Sequence, residues 1–395
     1  MMVNFADRME KVKASEIREL LALTAKPEII SFAGGLPAPE LFPVDDMNAA
    51  IEAVMQENGK SALQYGTTDG LPRLRQQIAD RLAAKNNIHT DIKNIIMTAG
   101  SQQGLDFAAR LFVNPGDVII MESPSYLGAI NAFIPSQPNF VEVPTDENGM
   151  IMEELEKILA STPNVKMIYV IPDFQNPSGR TWPLERRKKF MEIINRYEIP
   201  VLEDNPYGEL RYKGEYQPAL KSMDEKGLVI YLGTFSKILA PGLRLGWIVA
   251  NDEYINKFNL IAQAAVLQTS TFNIAVVSKY IDMFDLDAHV DVIREVYKHR
   301  CTLMIDSMRE YFPKEVRFTD PDGGLFTWAE LPDYIDTKVM ATQALEQKVA
   351  YVPGAGFFPN GGNCHCMRLN YSCMPDERIV EGIKRLGSVI NANLK

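Results

Sequence analysis

Thr234-Phe235-Ser236-Lys237 is followed seven residues later by Arg244, within Ala240-Pro241-Gly242-Leu243-Arg244-Leu245-Gly246. These residue types combine one nucleophilic amine, two hydroxyls and a guanidinium. The amine can condense with an aldehyde as a Schiff base, and the hydroxyls and guanidinium can bind phosphate oxygens. Pyridoxal 5′-phosphate carries both groups. Taken alone, the same residues equally suit an exposed Ser-Lys turn beside a surface arginine, so the reading depends on other segments.

Ile95-Ile96-Met97-Thr98-Ala99-Gly100-Ser101-Gln102-Gln103 reads as strand, glycine turn and helix start. Free N–H groups and the positive end of a helix dipole favour phosphate there, with Ser101 and Gln102 beside it. An ordinary turn with Ser101 as N-cap has the same pattern. It is not a P-loop, since Gly-x-x-x-x-Gly-Lys-Ser/Thr is absent. Asp204 closes the apolar run that starts at Val201, where a carboxylate can keep a pyridine nitrogen protonated and make the ring an electron sink. Asp204-Asn205-Pro206 also suits a turn start. Tyr207, and Asn176 in Gln175-Asn176-Pro177-Ser178-Gly179, can donate to a phenolic oxygen, whose charge lowers the pKa of a neighbouring imine. Tyr126, in Glu122-Ser123-Pro124-Ser125-Tyr126, offers a flat face for the ring or packs in a core.

Positioning these residues requires strands and helices in alternation. Strands are expected at Ile95–Thr98, Val118–Glu122, Phe140–Val143, Val165–Ile171, Val201–Glu203, Leu228–Leu232 and Leu245–Ala250. Helical patterns at Leu71–Lys85, Gln102–Phe112 and Leu184–Tyr197 lie between several of them. This is an α/β pattern: a mostly parallel seven-stranded sheet covered by helices, with ligands at the strands' carboxyl ends. After about Asp285 the pattern becomes α+β. It has helices at His289–Tyr311, Lys338–Gln347 and Asp376–Ile390, and strands at Leu325–Glu330 and Met367–Asn370. The expected division is an N-terminal arm and substrate-side segment (1–45), a large domain (46–285) and a small domain (286–395). A helix from Phe5 to about Thr24, with Ser15 as a plausible N-cap, opens the arm.

With 395 residues, 46% of them apolar, the chain can bury a large core. Its apolar runs fall short of the roughly 20 residues of a membrane span, and the N-terminus lacks a signal-peptide core. Four cysteines make no disulfide framework and point to a reducing cytoplasm. A net charge of −10 argues against nucleic acid as a main partner. Cys364-His365-Cys366 lacks a second ligand pair for a zinc site, and Gly354-Ala355-Gly356 is only half of a dinucleotide fingerprint. His89, His289, His299 and His365 show no triad spacing, and Arg186-Arg187-Lys188-Lys189 reads as a solvated helix face.

In order along the chain, from about Ser15 to the C-terminus, these motifs resemble the class I aminotransferases of the fold-type I pyridoxal-phosphate enzymes. The resemblance implies an aspartate aminotransferase-like fold, with Lys237 as the Schiff-base residue and Asp204 at the pyridine nitrogen. Asn176 and Tyr207 fall at the phenolic oxygen; Ser101, Gln102, Thr234, Ser236 and Arg244 surround the phosphate. Many family members have serine where Thr234 stands, which keeps the hydroxyl. Tyr65, in Gln64-Tyr65-Gly66-Thr67-Thr68-Asp69-Gly70, would reach the phosphate of a neighbouring subunit, so a homodimer is implied. So are cis bonds before Pro124 and Pro177.

Arg368, in Met367-Arg368-Leu369-Asn370, is implied as the bidentate clamp on the substrate α-carboxylate. Ala14-Ser15-Glu16-Ile17-Arg18-Glu19-Leu20-Leu21 and Ser31-Phe32-Ala33-Gly34-Gly35-Leu36-Pro37 are similar to the 2-aminoadipate branch, with its kynurenine/aminoadipate relatives. That likeness gives Arg18 the distal carboxylate of a long acidic substrate and sets Gly35, with Asn176, beside the α-carboxylate. Arg18 alternatively faces solvent beside Glu16 and Glu19. The implied reaction is ping-pong transfer of an amino group from an L-amino acid to 2-oxoglutarate. Same-fold lyases or synthases, and regulators carrying an aminotransferase-like sensor domain, share most of the cofactor motifs. Regulators need a winged-helix module ahead of the arm, and this sequence begins directly with the arm.

Overall fold

The computed structural model describes residues 4–12 and 26–395. The central sheet has the strand order Ile95–Thr98, Gly246–Val249, Val229–Thr234, Val201–Asp204, Val165–Val170, Val118–Ser123, Asn139–Asp146 and Gly149–Met150. All seven expected strands are present, and the two-residue Gly149–Met150 extends one edge as an eighth. Five of the strands run parallel; Gly246–Val249 and Gly149–Met150 run antiparallel to their neighbours, and Ile95–Thr98 pairs only with Gly246–Val249. Strands Ile95–Thr98, Val201–Asp204 and Val229–Thr234 are buried at every residue, the first even at the sheet's edge, which is why they read as continuous apolar runs rather than alternating ones.

The helices expected from periodicity lie at Pro72–Asn86, Ser101–Phe112, Leu184–Tyr197, Leu286–Tyr311, Thr337–Glu346 and Asp376–Asn393. Sequence reading did not name the helices Val44–Ala62, Leu127–Phe133, Met152–Ser161, Asp252–Ala265 and Thr271–Met283. Two of these carry a side-chain cap that marks their start: Asn251 accepts from the Tyr254 N–H and Ser270 from the Asn273 N–H. In the arm, residues 4–12 contain only a 3-10 turn at Asp7–Met9, not a helix from Phe5. The rest of that expected helix, with Ser15 and Arg18, lies outside the described residues.

A second, antiparallel sheet has the order Arg317–Phe318, Phe326–Glu330, Cys366–Asn370 and Val352–Pro353. Arg368 sits on its buried third strand, opposite Trp328 on one side and Val352 on the other. Ile30–Ser31 pairs in parallel with Val349–Ala350 as a separate two-stranded sheet, and the Asn370 N–H donates to Phe32 O, which ties the segment leading into Ala33–Leu36 to the antiparallel sheet. Helix Leu286–Tyr311 links two apolar cores. Leu286, Val290, Ile293 and Tyr297 pack with the large sheet's core, whereas Cys301, Met304, Ile305 and Met308 pack with the second.

Gly246 sits where three backbones meet. A Cβ there would lie 2.8 Å from Gly233 O and 2.9 Å from both Gly100 C and Ser101 N. Backbone cannot yield as a flexible side chain can, so Gly246→Ala should cost roughly 1–3 kcal/mol. The expected result is a thermal midpoint several degrees below that of the unaltered protein; an unchanged midpoint would refute this packing argument.

Candidate active site

A cavity of about 660 Å³ lies at the carboxyl ends of the central strands. Its wall includes Gly35, Ser101, Gln102, Tyr126, Asn176, Asp204, Tyr207, Thr234, Ser236, Lys237, Arg244 and Arg368. These twelve residues, drawn from parts of the chain as distant as Gly35 and Arg368, converge on one cavity. Tyr65 does not line this cavity; it is 77% exposed on the outer surface.

Lys237 follows the end of strand Val229–Thr234, and its Nζ donates to Gly35 O at 2.8 Å. Burial, with Arg368 and Arg244 nearby, lowers its pKa to about 8. Asp204 ends the adjacent strand and is 2% exposed. Its Oδ2 accepts from the Tyr169 hydroxyl at 2.9 Å, while buried Oδ1 has no hydrogen-bond partner among the described residues. Burial pushes this carboxyl up to about 7, against the opposing effect of the Tyr169 bond. A cationic N–H at Oδ1 would supply the missing partner.

At one end of the cavity, Gly100 turns into helix Ser101–Phe112 with φ of 77° and no side-chain cap. The helix's first N–H groups are thus open to an anion. Gly100 is the cap residue, and Ser101 is the first helical residue. A Cβ on Gly100 would stand 2.6 Å from Arg244 Nη2, so glycine lets the guanidinium lie across the turn. Arg244 is fixed by donation to Ala99 O at 3.0 Å and Pro241 O at 3.3 Å. The Thr234 hydroxyl accepts from the Ser236 N–H at 3.1 Å and stands 2.9 Å from Ser236 Oγ, holding that turn in shape. Gln102 donates to Gly128 O at 2.9 Å, joining the helix start to the Tyr126 loop.

At the other end, Arg368 is 2% exposed and faces no carboxylate within salt-bridge distance among the described residues. Its Nη1 donates to Asn176 Oδ1 and its Nη2 to Ala33 O, each at 2.9 Å, and Nε is unpartnered. The guanidinium lies 4.2 Å above the Phe326 ring. Burial lowers its pKa to about 10, so it stays charged at neutral pH. A buried cation held by neutral acceptors is a costly arrangement that an anion relieves. Asn176 also donates to the Tyr207 hydroxyl at 3.2 Å, which leaves that hydroxyl free to donate into the cavity. Burial raises the Tyr207 pKa, keeping it protonated.

The Ser123–Pro124 and Asn176–Pro177 bonds are both cis, as the resemblance implied. Gln175 connects the two turns, donating to Pro124 O at 2.7 Å and accepting from the Ser178 N–H at 2.8 Å. Sequence reasoning missed Gln175, Tyr169, Phe326 and Gly128. A Cβ at Gly128 would fall 2.3 Å from the Tyr126 ring, so the ring's placement requires this glycine. Position Tyr169 near the end of a strand was a visible signal; its polar tip facing Asp204 was not.

Together, the groups present a nucleophilic amine, a bare carboxylate oxygen and two anion sites, a donor set that fits a pyridine aldehyde bearing phosphate. A protonated amine has no lone pair, so Lys237 should react with aldehydes above about pH 8, whereas free lysine requires about pH 10. Borohydride trapping of a small aldehyde, mapped by peptide mass, should give a Lys237 midpoint near pH 8. A midpoint above 10 would remove the argument for an activated amine.

Residues 40–386 match the family described as aminotransferase class I and II. The chain is 45% identical over 395 residues to aromatic-amino-acid aminotransferase 1 of Thermococcus litoralis, covering 99% of this chain and 95% of that one. It is 39% identical to the 2-aminoadipate transaminase of Thermus thermophilus, covering 97% and 96% of the two chains. Among solved structures, kynurenine aminotransferase of Pyrococcus horikoshii, in complex with PMP, superposes with a TM-score of 0.95 at 42% identity, covering 99% and 98%. The fold is the aspartate aminotransferase-like one, and the chain belongs to the class I and II aminotransferases.

Proposed function

We propose that this aminotransferase uses pyridoxal 5′-phosphate to move the amino group of a long-chain acidic, aromatic or branched L-amino acid to 2-oxoglutarate in a ping-pong cycle. The observation that carries the reading is the convergence of Lys237, the unpartnered Oδ1 of Asp204 and the anion-free Arg368 on one cavity. When bound, the cofactor supplies an electron-withdrawing ring that stabilises negative charge at the substrate Cα.

The chain's own residues supply the rest. Arg368 receives the α-carboxylate, exchanging neutral acceptors for an anion. Lys237, its pKa lowered to about 8, can take a proton from Cα and return it elsewhere without a large energy gap. Asp204 holds a ring N–H⁺, and Asn176 and Tyr207 donate to the phenolic oxygen. The open helix start, Ser236 and Arg244 bind phosphate, with Tyr126 against the ring face. Gly35 and Asn176 border the α-carboxylate.

Further parts of the reading concern substrate, assembly and division. Arg18 is assigned to a distal carboxylate, on the strength of its place in the arm. Tyr65 is assigned to the phosphate of a second copy in a homodimer; its 77% exposure, close in sequence to exposed Leu63 and next to Gly66, whose N–H donates to Gln268, supports that assignment. Division into residues 1–45, 46–285 and 286–395 draws support from the two separate apolar cores, with helix Leu286–Tyr311 packing into both rather than marking the boundary. Four free thiols suit a reducing cytoplasm, and no described helix is long and apolar enough to cross a membrane.

Incubation with amino acids should release 2-oxo acid and leave pyridoxamine phosphate, and Lys237→Ala should abolish turnover. Formation of other products without pyridoxamine phosphate would instead indicate a lyase or synthase. Arg368→Lys keeps the charge but loses the fork, and kcat/KM should fall roughly 10- to 100-fold. Across a donor panel, Arg18→Ala should lose aminoadipate or glutamate activity by about 10- to 150-fold; uniform rates would leave Arg18 without a substrate role.

A further inference from the structure

We infer that Tyr169 is a positioning residue that sets both the direction and the protonation of Asp204; this rests on the cofactor reading of the same site. Tyr169 lies on strand Val165–Val170, in parallel register with Leu202 on the next strand, so its side chain shares a face with Asp204 two residues further on. The ring is fully buried, with its edge against Phe133 at 5.5 Å between centroids. That packing leaves the hydroxyl little freedom, and it donates to Asp204 Oδ2 at 2.9 Å.

This is the one hydrogen bond to the Asp204 carboxyl among the described residues, since Oδ1 is bare. Two consequences follow. Fixing Oδ2 aims the remaining oxygen into the cavity, so no rotamer search accompanies ligand entry. Donation also stabilises the ionised form of a carboxyl that burial otherwise drives toward the neutral one. An Asp–pyridine pair shares one proton, and whatever favours the carboxylate moves that proton onto the ring nitrogen. Tyr169 thus acts on the ring through Asp204, without touching it.

The test uses the full-length apoprotein and two ligands: pyridoxal phosphate, and its 1-deaza analogue with C–H in place of the ring nitrogen. Tyr169→Phe removes one oxygen and keeps the ring's shape. It should weaken pyridoxal phosphate roughly 10- to 100-fold while changing the deaza analogue by no more than about twofold. The ¹⁵N resonance of ring-labelled bound cofactor should move from pyridinium toward neutral pyridine. Made in the Asp204→Asn background, the same substitution should add no loss in pyridoxal phosphate affinity beyond Asp204→Asn alone, whereas a merely structural role would weaken binding in both backgrounds. Equal weakening of both ligands, or an unmoved ¹⁵N resonance, would overturn the inference and leave Tyr169 as core packing. Failure of the unaltered protein to bind pyridoxal phosphate would instead sink the cofactor reading, so the two failures are separable.

Discussion

Burying ionisable groups without neutralising them inside the chain is the constraint on which this site depends. Lys237, Asp204 and Arg368 are each desolvated, and each keeps a bond to a neutral partner: Gly35 O, the Tyr169 hydroxyl, and Asn176 with Ala33 O. Desolvation disfavours all three charged forms, lowering the lysine to about 8 and raising the aspartate to about 7. Groups poised in this way bind complementary charge strongly and transfer protons near neutrality. The same burial would be a liability in a protein without a ligand to relieve it.

Holding such groups requires a scaffold that does not give. The central sheet supplies it, because its strands end side by side and place Asp204 and the Thr234–Lys237 turn next to each other. Crowded glycines complete the arrangement. Gly246 lets three backbones meet, Gly100 admits the Arg244 guanidinium, and Gly128 admits the Tyr126 ring. Arg368 comes from the second sheet, so the cavity is walled by groups from two separately packed sheets. Helix Leu286–Tyr311 spans both cores, and its Tyr297 hydroxyl and Arg300 guanidinium hold the Ala38–Glu40 stretch beside the cavity.

Much of this was legible in the residue order because strands buried on both faces leave unbroken apolar runs, and the residues after those runs fall at one sheet edge. Lys237, Asp204 and Asn176 could therefore be picked by type and place, whereas Arg368, inside a strand of the second sheet, was singled out through the family resemblance. Tyr169 could not be picked either way. Its role depends on which neighbour its hydroxyl meets across the sheet, and no local pattern encodes that pairing. Gln175 was hidden for a similar reason, since it acts by joining two turns that lie some fifty residues apart. Helices Asp252–Ala265 and Thr271–Met283 follow the last strand of the large sheet, so strand–helix alternation does not mark them and only their Asn251 and Ser270 caps do.

The linear sequence settled the α/β class and the family and singled out the candidate reactive side chains, because local periodicity and short motifs carry that information. Tertiary structure decided which oxygen of Asp204 stays bare, which carbonyls hold Lys237 and Arg368, and how far each pKa moves. Those properties arise from desolvation and from contacts between strands remote in the chain, and neither exists until the sheets have packed.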